Sequence, residues 1–247
     1  MVEISEKNFE TTIENALLDI SKWGPLYGDV QEHALPYEYA PGGYKRREPT
    51  DYDRSLCLDS EVTLDFVRAT QPQEWAKYKK LFGEEAKARF LNRLSSQIEK
   101  RGTLDVLRNY IKDSGCKFRL AYFRPSSGLN PDLQKLYEAN FFSIIRQLKY
   151  SEKSEHSIDL ALFLNGIPIF TAELKNPFTG QTVKNAIHQY RCDRDPREPV
   201  LSFGRCLAHF AVDPNLVYMT THLRGEQTRF LPFNQGWGTG AGNPPRL

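Results

Sequence analysis

The 247-residue chain lacks a long uninterrupted apolar run. Its longest, residues 158–174, contains Asp159, Asn165 and Glu173, whereas a membrane-spanning helix needs about 20 predominantly apolar residues. An apolar signal-peptide segment is also missing from the first residues, MVEISEKNFE. We therefore expect a cytoplasmic protein with no membrane partner.

Cysteine is scarce, and its spacing is uninformative. The four cysteines have none of the CxxC spacing that marks zinc and redox motifs: Cys57, Cys116, Cys192 and Cys206. A zinc site made of Cys192, Cys206 and His209 stays an alternative, although its spacing is irregular. Buried free thiols in a reducing compartment are the preferred prediction.

Net charge is also small, at +2, so a polyanionic partner has to be inferred from local charge. The clearest local excess runs from Lys77 to Lys112, with ten Lys or Arg residues against four acidic residues. This segment has helical periodicity, and its outer face is a candidate for contact with a phosphate backbone. The alternative is an ordinary solvated helix face.

Hydrophobic periodicity predicts a helical N-terminal part, about residues 1–113, and a strand-rich core, about residues 114–235. The predicted helices cover residues 9–23, 74–112 (with breaks near Gly83 and Gly102), 130–140 and 182–191. Residues 36–53 are polar and Tyr-rich and predict an irregular loop. The predicted strands cover residues 117–123, 143–150, the stretch from Ser157 to Gln181, 207–212 and 216–221. This order indicates an α/β (α+β) fold with a central mixed sheet flanked by helices, in one domain over residues 1–235.

Residues 236–247 are rich in glycine and end near Pro244-Pro245. We expect a linker here, leading to a further part of a longer chain. No GxxxxGK[ST] phosphate-binding loop occurs in the sequence, so we do not expect ATP hydrolysis by these residues.

The stretch SIDLALFLNGIPIFTAELKNPFTGQ, residues 157–181, carries the candidate chemistry. Its two apolar strands contain Asp159, Glu173 and Lys175, and buried charges are costly unless they are paired or bind metal. Mg²⁺ prefers oxygen ligands and retains several waters, so Asp159, Glu173 and the carbonyl of Leu174 are the predicted metal ligands. Lys175 would orient a water and neutralise an attacked phosphodiester. The alternative is that Asp159 caps a strand edge and Glu173 and Lys175 form a surface ion pair.

Strand register provides a test of this metal site. Asn165-Gly166 favours a two-residue hairpin turn, and regular pairing from that turn would put Asp159 opposite Ala172. Glu173 would then point to the other face of the sheet. Convergence of the two carboxylates therefore requires a bulge, a wider loop or strands that splay apart near Asp159. Pro168 cannot donate to the ladder, so we predict an irregularity near the turn.

Asp159 with Glu173-Leu174-Lys175 resembles the D…ExK core of the PD-(D/E)XK nuclease superfamily. A longer set of sequence segments is similar to the N-terminal endonuclease region of the R (HsdR) subunit of type I restriction enzymes. These segments are the stretch above, followed by AIHQYRCDRDPREP, HFAVDPNLVYMTT and TRFLPFNQGWGTGAGNP. The resemblance is strong from about Thr103 onwards and looser back to Phe9.

The resemblance implies Mg²⁺-dependent cleavage of double-stranded DNA by Asp159, Glu173 and Lys175, with Mn²⁺ as a substitute metal. It also implies methyltransferase and specificity subunits as partners, and an ATP-driven motor elsewhere in the full subunit. A non-catalytic DNA-binding or assembly module of the same complex is the alternative function.

Further site residues follow from the resemblance. An acidic residue of the first helix often joins such sites, and Glu10 matches best, with Glu14 second. A Gln-x-x-x-Tyr motif often follows, but here the fourth residue after Gln189 is Asp193, so only the glutamine is carried over. Lys184 and Arg191, near Gln189, are candidates for contact with DNA phosphates.

Overall fold

A seven-stranded mixed sheet forms the centre of the fold. The computed structural model describes residues 6–18, 43–126, 129–176, 180–236 and 242–243. In chain order the strands are β1 (Tyr44–Arg47), β2 (Tyr52–Asp53), β3 (Leu58–Asp59), β4 (Tyr110–Asp113), β5 (Cys116–Arg119), β6 (Phe142–Lys149), β7 (Ser157–Leu164), β8 (Ile167–Leu174), β9 (Ala208–Val212), β10 (Val217–Thr220) and β11 (Leu231–Pro232). The sheet order is β1-β6-β7-β8-β9-β10-β11, with β1–β6 and β8–β9 parallel and the other pairs antiparallel.

Helices flank this sheet, which confirms the predicted fold class. They are α1 (Glu6–Leu18), α2 (Ser60–Thr70), α3 (Pro72–Phe82), α4 (Ala86–Arg101), α5 (Thr103–Arg108), α6 (Pro131–Glu138) and α7 (Val183–His188). The predicted breaks at Gly83 and Gly102 are confirmed, and both glycines have positive φ. The predicted helix that follows Thr103 ends too late, because Tyr110 and Ile111 belong to β4, which pairs with β5. A strand of four residues is too short for periodicity to separate it from a helix end.

Both faces of the sheet are covered. Ile144 and Leu160 pack with apolar residues of α1 on one face, and their neighbours Ile145 and Ala161 pack with Tyr190 on the other. This alternation is the strand pleat. Because each fully buried Ile or Leu side chain contributes roughly 1.5–3 kcal/mol, the two layers hold β6, β7 and β8 firmly in place.

The helical block α2–α5 packs on the turn end of the β7–β8 hairpin. Ile167 and Ile169 of β8 join its core with Trp75, Phe90 and Phe118. The basic helices α3 and α4 therefore lie toward the turn, whereas Asp159 is six residues away from the turn, about 20 Å along an extended strand. The basic helices and the carboxylates therefore lie at opposite ends of the hairpin.

The predicted loop over residues 36–53 is wrong in its described part, which begins at residue 43. β1 forms there and pairs in parallel with β6. Its sequence, YKRR, has no apolar alternation, and its arginines are held by acidic partners instead. The guanidinium of Arg46 donates to Glu14 (2.7 Å), and that of Arg47 donates to Asp59 (2.8 Å). Charged residues are typical of such an edge strand.

Several predictions fall partly outside the described residues. Helix α1 is described to Leu18, so its predicted end near residue 23 lies beyond them. Of the predicted linker, Gly236 and residues 242–243 are described, and the Asn243 side chain donates to the carbonyl of Val217 (3.0 Å). The predicted division between a helical part and a strand-rich core near residue 113, and the predicted domain boundary at residue 235, stay predictions.

Among the described helices, none has the length and apolar character needed to cross a membrane.

Candidate metal centre at the base of the central hairpin

A two-residue turn joins β7 to β8. Leu164 pairs with Ile167 across Asn165-Gly166, and both turn residues have positive φ, 52° and 79°. This is the left-handed geometry that an Asn-Gly pair favours in tight hairpins. The Gly166 carbonyl accepts a hydrogen bond from the Asp59 N–H (2.8 Å), so the turn is tied to the start of α2.

A bulge follows the turn directly. Phe163 pairs with Pro168, but Leu162 pairs with Phe170, so β8 carries one extra residue, Ile169. The predicted irregularity near Pro168 is therefore confirmed, and it takes the form of a one-residue bulge rather than a wider loop. A bulge of this kind shifts every later pair by one position.

The shifted register brings the two carboxylates to opposing positions. Leu160 pairs with Ala172, so the next step along the two strands sets Asp159 opposite Glu173. The Asp159 carboxylate also accepts a hydrogen bond from the Leu174 N–H at 2.7 Å (Oδ2). Asp159 thus lies directly beside β8, as the metal-site hypothesis requires.

Glu173 is fully buried and only half satisfied. Its Oε1 accepts a hydrogen bond from Arg194 Nε at 2.7 Å, while Oε2 has no hydrogen-bond partner among the described residues. Burial, and next the charge of Asp159, raise the pKa of Glu173 to about 8, although Arg194 acts in the opposite direction. The alternative of a surface pair of Glu173 with Lys175 is therefore wrong, because both side chains are buried.

These residues suit a hard divalent cation. A buried carboxylate oxygen with no donor is costly by itself, and a cation beside Oε2 of Glu173 would compensate it. The described residues contain no group of three or more His, Cys, Asp or Glu side chains arranged to hold a metal ion. A site here would therefore use two carboxylates, with the Leu174 carbonyl as a further ligand. Mg²⁺ is commonly bound by one or two carboxylates and several waters, so this set fits it.

Lys175 lies immediately after β8. Its backbone N–H donates to the Val212 carbonyl (2.9 Å), which extends the pairing of β8 with β9 by one residue. Period-two alternation puts the Lys175 side chain on the same face as that of Glu173. The structure thus keeps Asp159, Glu173 and Lys175 at one end of the central hairpin, and their catalytic roles stay predictions.

Of the two first-helix acids, Glu10 is the one that reaches the site. Gln147 Nε2 donates to Glu10 Oε1 (2.8 Å) and to Asp159 Oδ1 (3.2 Å), so one amide bridges the two carboxylates. Burial is the main cause that raises the pKa of Glu10. Both acids also bind Arg146, Glu10 at 2.8 Å and Glu14 at 3.1 Å, and Glu14 binds Arg46 at 2.7 Å, so these ion pairs anchor α1 to the sheet.

Helix α7 and the turn that follows it carry the remaining predicted residues near the same end. Its first N–H, from Val183, donates to Asp213 (2.9 Å), which directly follows β9. Lys184 and Arg191 both line a cavity of about 450 Å³. The Arg191 guanidinium already donates twice to the carbonyl of Thr228, at 3.0 and 2.8 Å, so Lys184 is the better candidate for phosphate contact.

Gln189 is not joined to the carboxylates by any contact within the described part of the chain. It begins a π-helical turn, Gln189–Asp193, that continues α7. The next residue, Tyr190, is buried, and its hydroxyl hydrogen-bonds to Thr171 (2.8 Å). Arg194, which directly follows this turn, donates a hydrogen bond to Glu173, whereas Gln189 does not.

The alternative zinc site of Cys192, Cys206 and His209 finds no support in the described residues. His209 is buried in β9, its Nδ1 hydrogen-bonds to Thr171 Oγ1 (2.7 Å), and burial lowers its pKa to about 4. Cys206 is buried as predicted, but the prediction of a buried thiol is wrong for Cys192, which is exposed. The zinc alternative fails since these residues form no metal-binding group in the described ranges.

Arg194 and Gln147 are the two site residues that sequence reasoning missed. The sequence offered only a general argument for Arg194. A buried carboxylate needs a cationic partner, and arginines are frequent in the segment after α7. Gln147 had no motif. Its position becomes informative only with the backbone, where it has a φ of +48° in the middle of β6.

Comparison with known proteins identifies a family. The family described as type I restriction enzyme R protein N terminus matches residues 70–228, more than half of the chain, and includes Asp159, Glu173 and Lys175. No curated protein matches the chain. The matched segment contains β6–β9, α7 and the bulged hairpin. The chain therefore belongs to the type I restriction enzyme R protein N-terminus family.

Proposed function

We propose that this chain is a Mg²⁺-dependent endonuclease domain that hydrolyses phosphodiester bonds of double-stranded DNA within a type I restriction enzyme. The observation that carries the proposal is the bulge in β8. It brings Asp159 opposite Glu173, and Oε2 of Glu173 is buried with no donor among the described residues. Family membership supports the R subunit as the setting.

Asp159, Glu173 and the carbonyl of Leu174 would hold the metal. When bound, Mg²⁺ supplies Lewis-acid stabilisation to a phosphodiester oxygen and lowers the pKa of a bound water. Arg194 fixes the Glu173 carboxylate through Oε1 and leaves Oε2 for the ion. Leu174 N–H and Gln147 fix the Asp159 carboxylate from two sides.

Lys175 has a separate role in this proposal. Its ammonium group lies two residues after Glu173 and orients the attacking water or stabilises the negative charge that develops on the phosphate. Removing a preorganised charge-stabilising group of this kind typically costs about 10²–10³ in rate. Mn²⁺, another divalent ion with an affinity for carboxylate and water ligands, is expected to replace Mg²⁺.

The proposal includes the rest of a type I restriction complex. Methyltransferase and specificity subunits would select the DNA in the cytoplasm, and an ATP-driven motor of the full subunit would deliver it. In this proposal the chain needs only to bind DNA and cut its phosphodiester backbone. A site built from carboxylates and basic side chains suits that task.

Asp159→Ala and Lys175→Ala in the assembled enzyme test the proposal. We expect loss of double-strand cleavage, by at least about 10²-fold, while ATP-driven translocation on the same DNA stays at the wild-type rate. Lys80→Ala, on the exposed side of α3, is the control and should cleave normally. Unchanged cleavage by Asp159→Ala would instead favour the non-catalytic DNA-binding or assembly module.

A further inference from the structure

Strand β6 contains an unusual residue beside the candidate metal centre. Gln147 has a φ of +48°, in the left-handed region that residues other than glycine rarely adopt. Arg146 pairs with Leu160 and Leu148 pairs with Ile158, but the pair between them, Gln147 with Asp159, is missing from the ladder. Local strain of this kind is maintained only where the surrounding structure imposes it, and it concentrates at functional sites.

The Gln147 side chain is held by three hydrogen bonds. Its Nε2 donates to Glu10 Oε1 at 2.8 Å and to Asp159 Oδ1 at 3.2 Å. Its Oε1 accepts from Ser157 Oγ at 2.7 Å, which fixes the direction of the amide. Both N–H groups of the amide thus serve carboxylates, one on α1 and one on β7.

We propose that Gln147 is a positioning residue that orients the Asp159 carboxylate for divalent-metal binding and ties it to Glu10 of α1; this inference rests on the proposed function. Each carboxylate oxygen can accept more than one contact, so the bond from Gln147 leaves Asp159 able to bind an ion. Outer partners that orient metal ligands typically affect metal affinity by about 10–100-fold.

The chemistry of the position favours an amide. A glutamate here would add a third carboxylate beside Asp159 and Glu10 and would donate no hydrogen bond at neutral pH. A lysine or arginine would bring a positive charge that competes with the metal for the same oxygens. A glutamine supplies two donors without net charge, one for each acid.

Gln147→Gly tests the inference, because glycine adopts the left-handed backbone without strain and removes only the amide. Mn²⁺ binding to the 247-residue chain is measured by calorimetry and by the electron paramagnetic resonance signal of free Mn²⁺. We expect at least about 10-fold weaker binding than in the wild type, with an unchanged or higher melting temperature in chelator. Gln147→Asn, which also tolerates positive φ but has a shorter side chain, should bind Mn²⁺ similarly weakly.

The two proposals fail in different ways. Wild-type Mn²⁺ affinity in Gln147→Gly, or in a stable Gln147→Asn should the glycine variant unfold, overturns the role of Gln147 and leaves the endonuclease proposal intact. Asp159→Ala, measured beside them, tests the metal centre itself. If the wild-type chain and Asp159→Ala bind Mn²⁺ equally, or neither binds it, the proposed metal centre is wrong, and the role of Gln147 fails with it.

Discussion

At the scale of single residues, the site is a set of buried charges whose partners differ in kind. Asp159 accepts hydrogen bonds from two neutral donors, one backbone N–H and one amide. Glu173 is satisfied at one oxygen by a cation, Arg194. Neutral donors leave the negative charge of Asp159 available, and the arginine partly stabilises that of Glu173. The close approach of two buried carboxylates remains unfavourable in the absence of a metal. This cost should be visible in the pH dependence of stability.

Glu173→Gln should change the pH dependence of stability in the metal-free protein. The pKa of Glu173 is raised from 4.5 to about 8, so the folded state binds a proton that the unfolded state releases between those values. Stability therefore falls as pH rises through that window, by at most about 1.4 kcal/mol per pH unit for one group. The glutamine variant lacks this term and should gain stability relative to wild type from pH 5 to pH 8.

Urea denaturation in chelator, at several values across this pH range, measures the effect. The comparison between variant and wild type isolates Glu173, because other titrating groups, including Glu10, are common to both. A stability difference that stays constant with pH would contradict the raised pKa.

At the scale of elements, the β7–β8 hairpin sets the site, and its two ends have different roles. The turn end is fixed by close packing against the start of α2, and the bulge between turn and site sets the register. A Cβ on Gly166 would lie 2.3 Å from both the Asp59 carbonyl and Thr63 Oγ1. The turn thus needs glycine for its φ and also for the contact with the neighbouring backbone.

Gly166→Ala should therefore be much more damaging than Gly115→Ala. Gly115, in the turn between β4 and β5, has the same φ of +79°, but a Cβ there meets no atom within 4 Å. The control should lose on the order of 1–3 kcal/mol from backbone strain alone. Gly166→Ala adds a clash with backbone and should lose clearly more, measured as the free energy of unfolding. Equal losses of unfolding free energy in the two variants would show that the close contact with Asp59 does not add to the cost of the substitution.

The hairpin is also the part of the fold that sequence predicts best. Alternation, the Asn-Gly turn and the need for Asp159 to face Glu173 were enough to predict an irregularity near Pro168, because all of that information is local. β1 was missed because its stability depends on distant acids such as Glu14 and Asp59. Gln147 was missed for a similar reason, since its left-handed backbone depends on partners in α1 and β7.

At the scale of the whole molecule, the basic helices and the carboxylates lie at opposite ends of the central hairpin. The turn end carries the basic helices α3 and α4, where several cations already have partners: Lys77 donates to the Gly115 carbonyl (3.1 Å), and Arg89 bonds to Asp113 (3.4 Å). The other end gathers α1, α7 and the carboxylates. DNA must reach the carboxylates to be cut, so the proposed function requires it to pass over the α7 end.

Lys184→Glu should therefore weaken DNA binding more than Lys80→Glu does. Both lysines are exposed on helices, but Lys184 is in the first turn of α7, one residue after Val183, whose N–H is tied to the end of β9. Loss of one phosphate contact should lower the slope of log affinity against log salt by about one, and charge reversal should add repulsion. Fluorescence anisotropy with a short labelled duplex, at several salt concentrations and with Ca²⁺ in place of Mg²⁺, measures both variants. A larger effect at Lys80 would shift the DNA path to the helical block and would favour its role in binding without catalysis.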